Sequence, residues 1–240
     1  AYQDKHSFMD HYQRKTNVYY GILEVDLTPD TLLTVGADYQ DSDPKGSSWT
    51  GTRTVYDPDG NTLDLPRSFN NGPKWSSWEQ YTRTVFAMLE HDLGDGWVTK
   101  LQLDHKLNGY DAQMGSIQGD YPYEDGTTPI NAQRYVGNTR SNSADLYVSG
   151  PFQLFGREHE LMLGASYQYV RNNNDNFNGC DSSTDTCTVN LSTWNGNVAV
   201  PSGATRVIGV NNKEYQQVGY YAATRLNPTD RLHVILGSRL

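Results

Sequence analysis

Tyr19-Tyr20-Gly21-Ile22-Leu23-Glu24-Val25-Asp26-Leu27-Thr28-Pro29-Asp30-Thr31-Leu32-Leu33-Thr34-Val35-Gly36-Ala37-Asp38-Tyr39-Gln40 alternates with a period of two on both sides of a tight turn. Tyr19, Gly21, Leu23, Val25 and Leu27 fall on one side of an extended chain, with Tyr20, Ile22, Glu24 and Asp26 on the other. After Pro29-Asp30 the apolar side resumes with Leu33, Val35, Ala37 and Tyr39, opposite Thr34, Gly36, Asp38 and Gln40. Alternation of this kind, flanking turn residues, predicts a β-hairpin with one apolar and one polar face.

The same pattern recurs along the chain. A second hairpin sets Val85, Ala87 and Leu89 against Trp97, Leu101, Leu103 and Leu107 around Gly94-Asp95-Gly96. A third pairs Leu146, Val148, Gly150, Phe152 and Leu154 with Leu161, Leu163, Ala165, Tyr167 and Tyr169 around Gly156-Arg157-Glu158. A fourth runs through Val218, Tyr220, Ala222 and Leu226, turns at Asn227-Pro228-Thr229-Asp230, and returns with Leu232, Val234, Leu236 and Leu240. Ala1 to Lys5 reads as the tail of an earlier strand, and the chain stops inside a strand.

One end of every hairpin is a turn of a few residues, whereas the other ends are long polar stretches, Asp41 to Ser77, Asp111 to Ser141 and Asn172 to Lys213. Long structureless loops are uncommon in compact soluble domains. Short turns on one side and long loops on the other mark outer-membrane barrels, whose tilted strands of about 10–13 residues cross hydrocarbon. Tyr19, Tyr39, Trp97, Tyr167, Tyr169 and Tyr220 lie on the apolar faces, where interfacial aromatic girdles form. The fold class predicted is therefore all-β, an antiparallel outer-membrane β-barrel with long extracellular loops and short periplasmic turns. A soluble β-sandwich also alternates, and a glycan-binding module of that kind is the competing reading.

Composition narrows the function. With 240 residues and 12% aromatic content, the chain is too rich in rings for disorder, and no apolar run is long enough for a spanning helix. A net charge of −9 without any basic stripe argues against a nucleic-acid partner. Ala-Tyr-Gln-Asp at the start carries no signal peptide, so any such peptide has been removed or lies outside this segment. Cys180 and Cys187 flank a short run of Asp, Ser and Thr, which predicts a local disulfide formed in an oxidising compartment.

Catalytic and metal-binding motifs are missing: there is no Gly-x-Ser-x-Gly elbow, no His-Glu-x-x-His, and no Cys/His cluster at ligand spacing. His105 and His159 lie on different hairpins without an evident nucleophile, which ranks a barrel hydrolase last. Asp57-Pro58-Asp59-Gly60-Asn61 faintly resembles a calcium loop but reads better as a turn at a loop tip. Glu24, Asp26, Asp38, Glu90 and Asp104 fall on the polar faces and read as a solvated lumen. More telling are the loop-zone rings Trp49, Tyr56, Phe69, Trp75, Trp78, Tyr110, Tyr121, Tyr123, Tyr135 and Trp194. They either pin the loops together or line a pocket for a flat ligand.

Several of these runs resemble a known family. Tyr19 to Leu23, Leu32 to Gln40, Arg67-Ser68-Phe69-Asn70-Asn71-Gly72, Trp75 to Phe86 and Gly156 to Leu161 are similar to the TonB-dependent siderophore receptors, and within them to the ferric-pyoverdine branch. The resemblance implies a plugged barrel of about 22 strands, of which this chain looks like about the second to about the tenth, without plug, TonB box or remaining strands. It implies a bacterial outer-membrane location and import of a ferric siderophore, of pyoverdine or hydroxamate type, coupled to the TonB complex through the missing plug. Iron would arrive chelated by the siderophore, so neither cofactor nor metal ligand is implied. Motif matching carries the family's pocket tryptophans to Trp49 and Trp78, and a third to Tyr121, where Gly119-Asp120 precedes a phenol instead of an indole.

Overall fold

The computed structural model describes residues 1–49, 56–57, 59–117, 123–180 and 185–240. Long antiparallel strands dominate: β1 (Tyr2–His6), β2 (Gln13–Thr28), β3 (Thr31–Lys45), β4 (Ser77–Gly94), β5 (Trp97–Ile117), β6 (Thr127–Leu154), β7 (Arg157–Phe177), β8 (Thr188–Asn190), β9 (Val207–Thr229) and β10 (Leu232–Arg239). They pair in the order β1-β2-β3-β4-β5-β6-β7-β9-β10, and β8 pairs off this path with β6. One sheet of sequential neighbours, with its apolar face open, is a barrel wall. A sandwich needs a second sheet packed on that face, and none covers it among the described residues.

Register shows which residues share a face, because directly opposed residues in an antiparallel pair point the same way. Leu23, Val35, Ala87, Leu103, Ala144, Tyr167 and Val218 form one continuous row across β2, β3, β4, β5, β6, β7 and β9. Val25, Leu33, Leu89, Leu101, Leu146, Ala165 and Tyr220 form the next row on that face. Half of these side chains are exposed, Leu23 at 59% and Val218 at 60%, and the others are half-buried among their neighbours. The opposite face is polar and internally bonded: Gln102 Nε2 donates to Asp104 at 3.1 Å and the Tyr221 hydroxyl to Asp145 at 2.8 Å. Apolar outside and polar inside is the arrangement of a wall between lipid and an aqueous lumen.

The short turns depart from the sequence reading in two places. β6 and β7 turn at Phe155-Gly156, with φ of 54° and 71°, so Arg157 and Glu158 already belong to β7. A two-residue turn with both central φ positive matches the twist of a hairpin. Asp95-Gly96 does the same between β4 and β5, with φ of 51° and 78°. β9 runs on through Asn227 and Pro228 to Thr229, whose Oγ1 accepts from the Arg231 and Leu232 amides at 3.3 and 3.0 Å.

The strands are also longer than expected, from 15 residues in β3 to 28 in β6 along the main wall. Only the part of each strand near the short turns carries the apolar alternation. Beyond it pairing continues through residues read as loop: Asn172, Asn173 and Asn174 lie within β7, where Asn173 Nδ2 donates to Asn138 of β6 at 3.4 Å. The buried apolar side chains Ala112, Met114, Ile117, Ile130 and Ala132 lie in this extension, under the segments between β3 and β4 and between β7 and β9. Cys180 and Cys187 are joined by a disulfide, Cα–Cα 5.7 Å, in the second of these segments.

Candidate functional site

Above the apolar band the lumen face continues on β4 with Thr82, Gln80 and Trp78, on β5 with Asn108, Tyr110 and Ala112, and on β6 with Thr139, Gly137 and Tyr135. Trp78, Ala112 and Tyr135 are opposed in one row. Ala112 is the small residue between two large rings, which leaves a slot about 10 Å wide, two strand spacings. Trp49, from the segment after β3, occupies it: its ring stacks 6.1 Å from Trp78 and 5.4 Å from Tyr135, tilted by 24° and 10°. Tyr110 meets Trp78 edge-on at 6.4 Å, and its ring covers Gly137, where a Cβ would come within 2.7 Å of it.

The loop that delivers Trp49 is fixed by two buried asparagines, Asn70 (2% exposed) and Asn71 (0%). Asn70 Nδ2 donates to the carbonyls of Gly46 at 2.7 Å and Asp10 at 2.9 Å, while its Oδ1 accepts from the Gly72 amide at 2.9 Å. The Ser48 hydroxyl donates to Asn71 Oδ1, and the Asn71 carbonyl accepts from the Ile117 amide at 3.0 Å. Gly46 has φ of 67° and passes so close to the His11 carbonyl that a Cβ would sit 2.4 Å from it. Trp194 closes the arrangement from the far loop, its Nε1 donating to the Asn70 carbonyl at 2.7 Å.

The loop aromatics thus divide. Trp49, Trp78, Tyr110 and Tyr135 present a ring cluster to the lumen, whereas Trp194 pins one loop to another and Trp75 packs against Gly115. Trp49 and Trp78, both carried over from the resemblance, lie side by side in this cluster. Tyr121, with Gly119 and Asp120, lies outside the described residues. Tyr110 and Tyr135 were among the loop-zone rings but were not named as ligand contacts, although extending the alternation upward from Thr82, Asn108 and Thr139 reaches both. Asn70 and Asn71 carry no sequence signal of burial. The Asp57 amide donates to the Asn61 carbonyl at 2.9 Å, and hydrogen bonds from Asn61 hold the Asp57 carboxyl below its ordinary pKa.

Trp49 and Trp78 remain 40% and 41% exposed, so each keeps an open ring face. A cleft of about 230 Å³ beside Trp78 is lined by Tyr12, Arg14, Ser48, Gln80 and Met114. Burial, and then Tyr135, pushes the Tyr110 phenol pKa up, so it stays protonated and donates to Asn174 Oδ1 at 3.0 Å. On the other side of the wall, burial and the neighbouring Asp43 and Asp111 raise the pKa of Glu79, against the opposing pull of Lys45. No group of three or more His, Cys, Asp or Glu side chains that could hold a metal ion occurs among the described residues. The arrangement offers ring faces for stacking, and phenol, guanidinium and amide groups for hydrogen bonding.

Comparison with known proteins agrees with this architecture. Residues 19–240 match the family described as TonB dependent receptor-like, beta-barrel. The chain is 54% identical, over its whole length, to the ferripyoverdine receptor of Pseudomonas aeruginosa and 34% identical to the ferric-pyoverdine BN7/BN8 receptor of Pseudomonas putida. It spans 29% and 30% of the length of these curated relatives. Against the crystal structure of the P. aeruginosa outer-membrane ferripyoverdine receptor bound to ferripyoverdine, the TM-score is 0.93 at 53% identity, covering 99% of this chain and 31% of the other.

Proposed function

The chain belongs to the TonB-dependent receptor β-barrel family, and from that premise we propose that it is a wall segment of a bacterial outer-membrane receptor that binds a ferric siderophore and imports it with TonB energy coupling. In this reading it supplies about the second to the tenth strand of a barrel of about 22, since the outer edges of β1 and β10 must be paired before lipid can surround them. The plug, the TonB contact and the remaining strands belong to the rest of the receptor. The protein acts as receptor and transporter and not as an enzyme, and it needs no resident cofactor, because the siderophore already surrounds its iron.

The observation that carries the proposal is the ring cluster on the lumen face, above the apolar band, with Trp49 wedged between Trp78 and Tyr135. A chelate with its own oxygen ligands needs no protein side chain on the metal. It needs flat apolar surface and a few donors, which the rings, the Tyr12 phenol and Arg14 provide. Trp49, Trp78 and Tyr121 are the proposed siderophore contacts carried over from the sequence, and Tyr110 and Tyr135 join them from the geometry. The names of the relatives favour a pyoverdine, with other hydroxamate siderophores as the alternative class.

Uptake of labelled iron by cells expressing the full-length receptor, tested with a panel of purified ferric pyoverdines and other ferric hydroxamates, decides the matter. At least one chelate should support uptake, and the double variant Trp49→Ala/Trp78→Ala should abolish most of it at normal outer-membrane abundance. Uptake of none would overturn the transport reading. Undiminished uptake by the double variant would overturn the site.

A further inference from the structure

One row of the outward face is charged. Across β2, β3, β4, β5, β6, β7 and β9 the opposed residues are Tyr19, Tyr39, Arg83, Leu107, Arg140, Arg171 and Glu214. Arg83, Arg140 and Arg171 are all exposed. Arg140 and Arg171 are direct cross-strand partners, an arrangement in which like charges repel. Arg171 relieves part of this through Glu214, Nε to Oε1 3.1 Å. Arg140 has no ion-pair or hydrogen-bond partner among the described residues. Arg83 stands over the rings of Tyr39 and Tyr81, 5.5 and 5.1 Å from their centroids.

Depth identifies what could neutralise them. One step toward the short turns lies a mixed row, Val85, His105, Asn142, Tyr169 and Gln216, and one step further the apolar row Ala87, Leu103, Ala144, Tyr167 and Val218. Four residues of strand rise about 13 Å, or roughly 10 Å of depth at a barrel strand's tilt. The backbone of this row therefore lies near the upper edge of an apolar band about 25 Å tall, from which the long arginine side chains reach headgroup level. The carboxylates on this face are Asp41, which accepts from Asn17 Nδ2 at 3.1 Å, Glu214, already on Arg171, and Asp4, Asp43, Glu79, Asp111 and Asp175 higher up. Asp111 is taken by Arg134, at 2.9 and 2.6 Å.

We propose that Arg140 and Arg171, with Arg83 beside them, form a binding site for the phosphate of an outer-leaflet lipid headgroup. A phosphate between two opposed guanidinium forks replaces a repulsion with charge-assisted hydrogen bonds, for which arginine geometry is suited. The apolar rows beneath accommodate the acyl chains of the same molecule. The inference rests on the barrel wall and its orientation in the outer membrane, and not on the identity of the siderophore.

Native mass spectrometry of the full-length receptor in detergent tests it, with a phosphorylated acyl-disaccharide lipid, the same lipid enzymatically dephosphorylated, and inorganic phosphate as probes. Wild-type receptor should retain the phosphorylated lipid at least about tenfold better than the dephosphorylated one. Arg140→Gln should lose that preference, and Arg140→Lys, which keeps charge without the fork, should be intermediate. Because Arg140 opposes a like charge, Arg140→Gln without lipid should be no less heat-resistant than wild type, a result that a purely structural arginine does not predict. Equal retention of the two lipids, unchanged retention by Arg140→Gln, or displacement of the lipid by millimolar inorganic phosphate would each overturn the proposal. Heat-modifiable mobility and ferric-siderophore binding of the same variants report on the barrel and the ligand site separately, so failure of those readings is distinguishable.

Discussion

Trp78 and Trp97 sit on adjacent strands and face different surroundings. Trp78 turns to the lumen within the ring cluster, whereas Trp97 opens β5 beside a short turn and lies against Gly150 on the outward face, where a Cβ would come within 2.3 Å of its ring. Trp78→Ala in the intact receptor should weaken ferric-siderophore binding by about 2 kcal/mol, the scale of a buried aromatic anchor. Trp97→Ala should leave affinity within about twofold and instead lower heat resistance, because it removes an interfacial ring. Fluorescence quenching titrations give both affinities, and equal losses would remove Trp78 from the site. The two tryptophans were distinguishable in the sequence by position, since Trp78 lies at the loop end of its strand and Trp97 directly follows the short turn. Trp49 came only from the resemblance, since a ring in Gly46-Ser47-Ser48-Trp49 has no periodicity to follow. Its position depends on Asn70 and Asn71, whose burial no local pattern announces because asparagine is also the commonest turn residue beside glycine.

That ambiguity also explains the misjudged element boundaries. Asn172-Asn173-Asn174 looks like a turn, yet it lies inside β7, because a neighbouring strand supplies the backbone partners and a ladder of amide side chains follows. The hairpin ends were legible to within two residues wherever glycine marked them, and missed at Asn227-Pro228, where tertiary pairing carries β9 past a proline. The disulfide was legible from two cysteines in one polar run. It closes the start of the segment that carries β8, and the Cys187 carbonyl accepts from the Ile130 amide of β6 at 3.0 Å. Closing so short a loop restricts the unfolded chain by about 2–3 kcal/mol. Reduction should therefore speed proteolysis between β7 and β9 while the receptor keeps its heat-modifiable mobility in gels. Rapid alkylation of both thiols before reduction would refute the bond, and collapse of the barrel band on reduction would refute its local character.

At the scale of the wall, the two faces make a direct prediction. Leu103 is 46% exposed on the outward face, in the row with Ala87 and Ala144, while Gln102 points to the lumen and bonds Asp104. Leu103→Arg should cost about 2–4 kcal/mol near mid-membrane. Gln102→Arg should cost much less, beside a carboxylate in an aqueous interior. Outer-membrane yield and heat-modifiable mobility of the two full-length variants should differ clearly; if both tolerate arginine the outward face is not in lipid, and if neither does the lumen is not aqueous. The wall was legible because short turns and long stretches sort to opposite ends. Its continuation above the apolar band was not, since nothing there repeats in hydrophobicity. The same rows have a consequence for how such genes can vary. Among the described residues register shifts lie only at strand ends, between Asp26 and Thr28, Asp92 and Gly94, Asn176 and Phe177, and Leu232 and Val234, and the body between them is in phase from β2 to β9. Losing a single codon inside that body turns over every side chain on one side of the lesion, lipid-facing to water-facing. Codons lost there in twos preserve the faces and shift only the rows, whereas the segments between β3 and β4 and between β7 and β9 do not follow the alternation in sequence and carry no such parity constraint. Inherited length differences should therefore be even-numbered within the wall and unrestricted in those two segments.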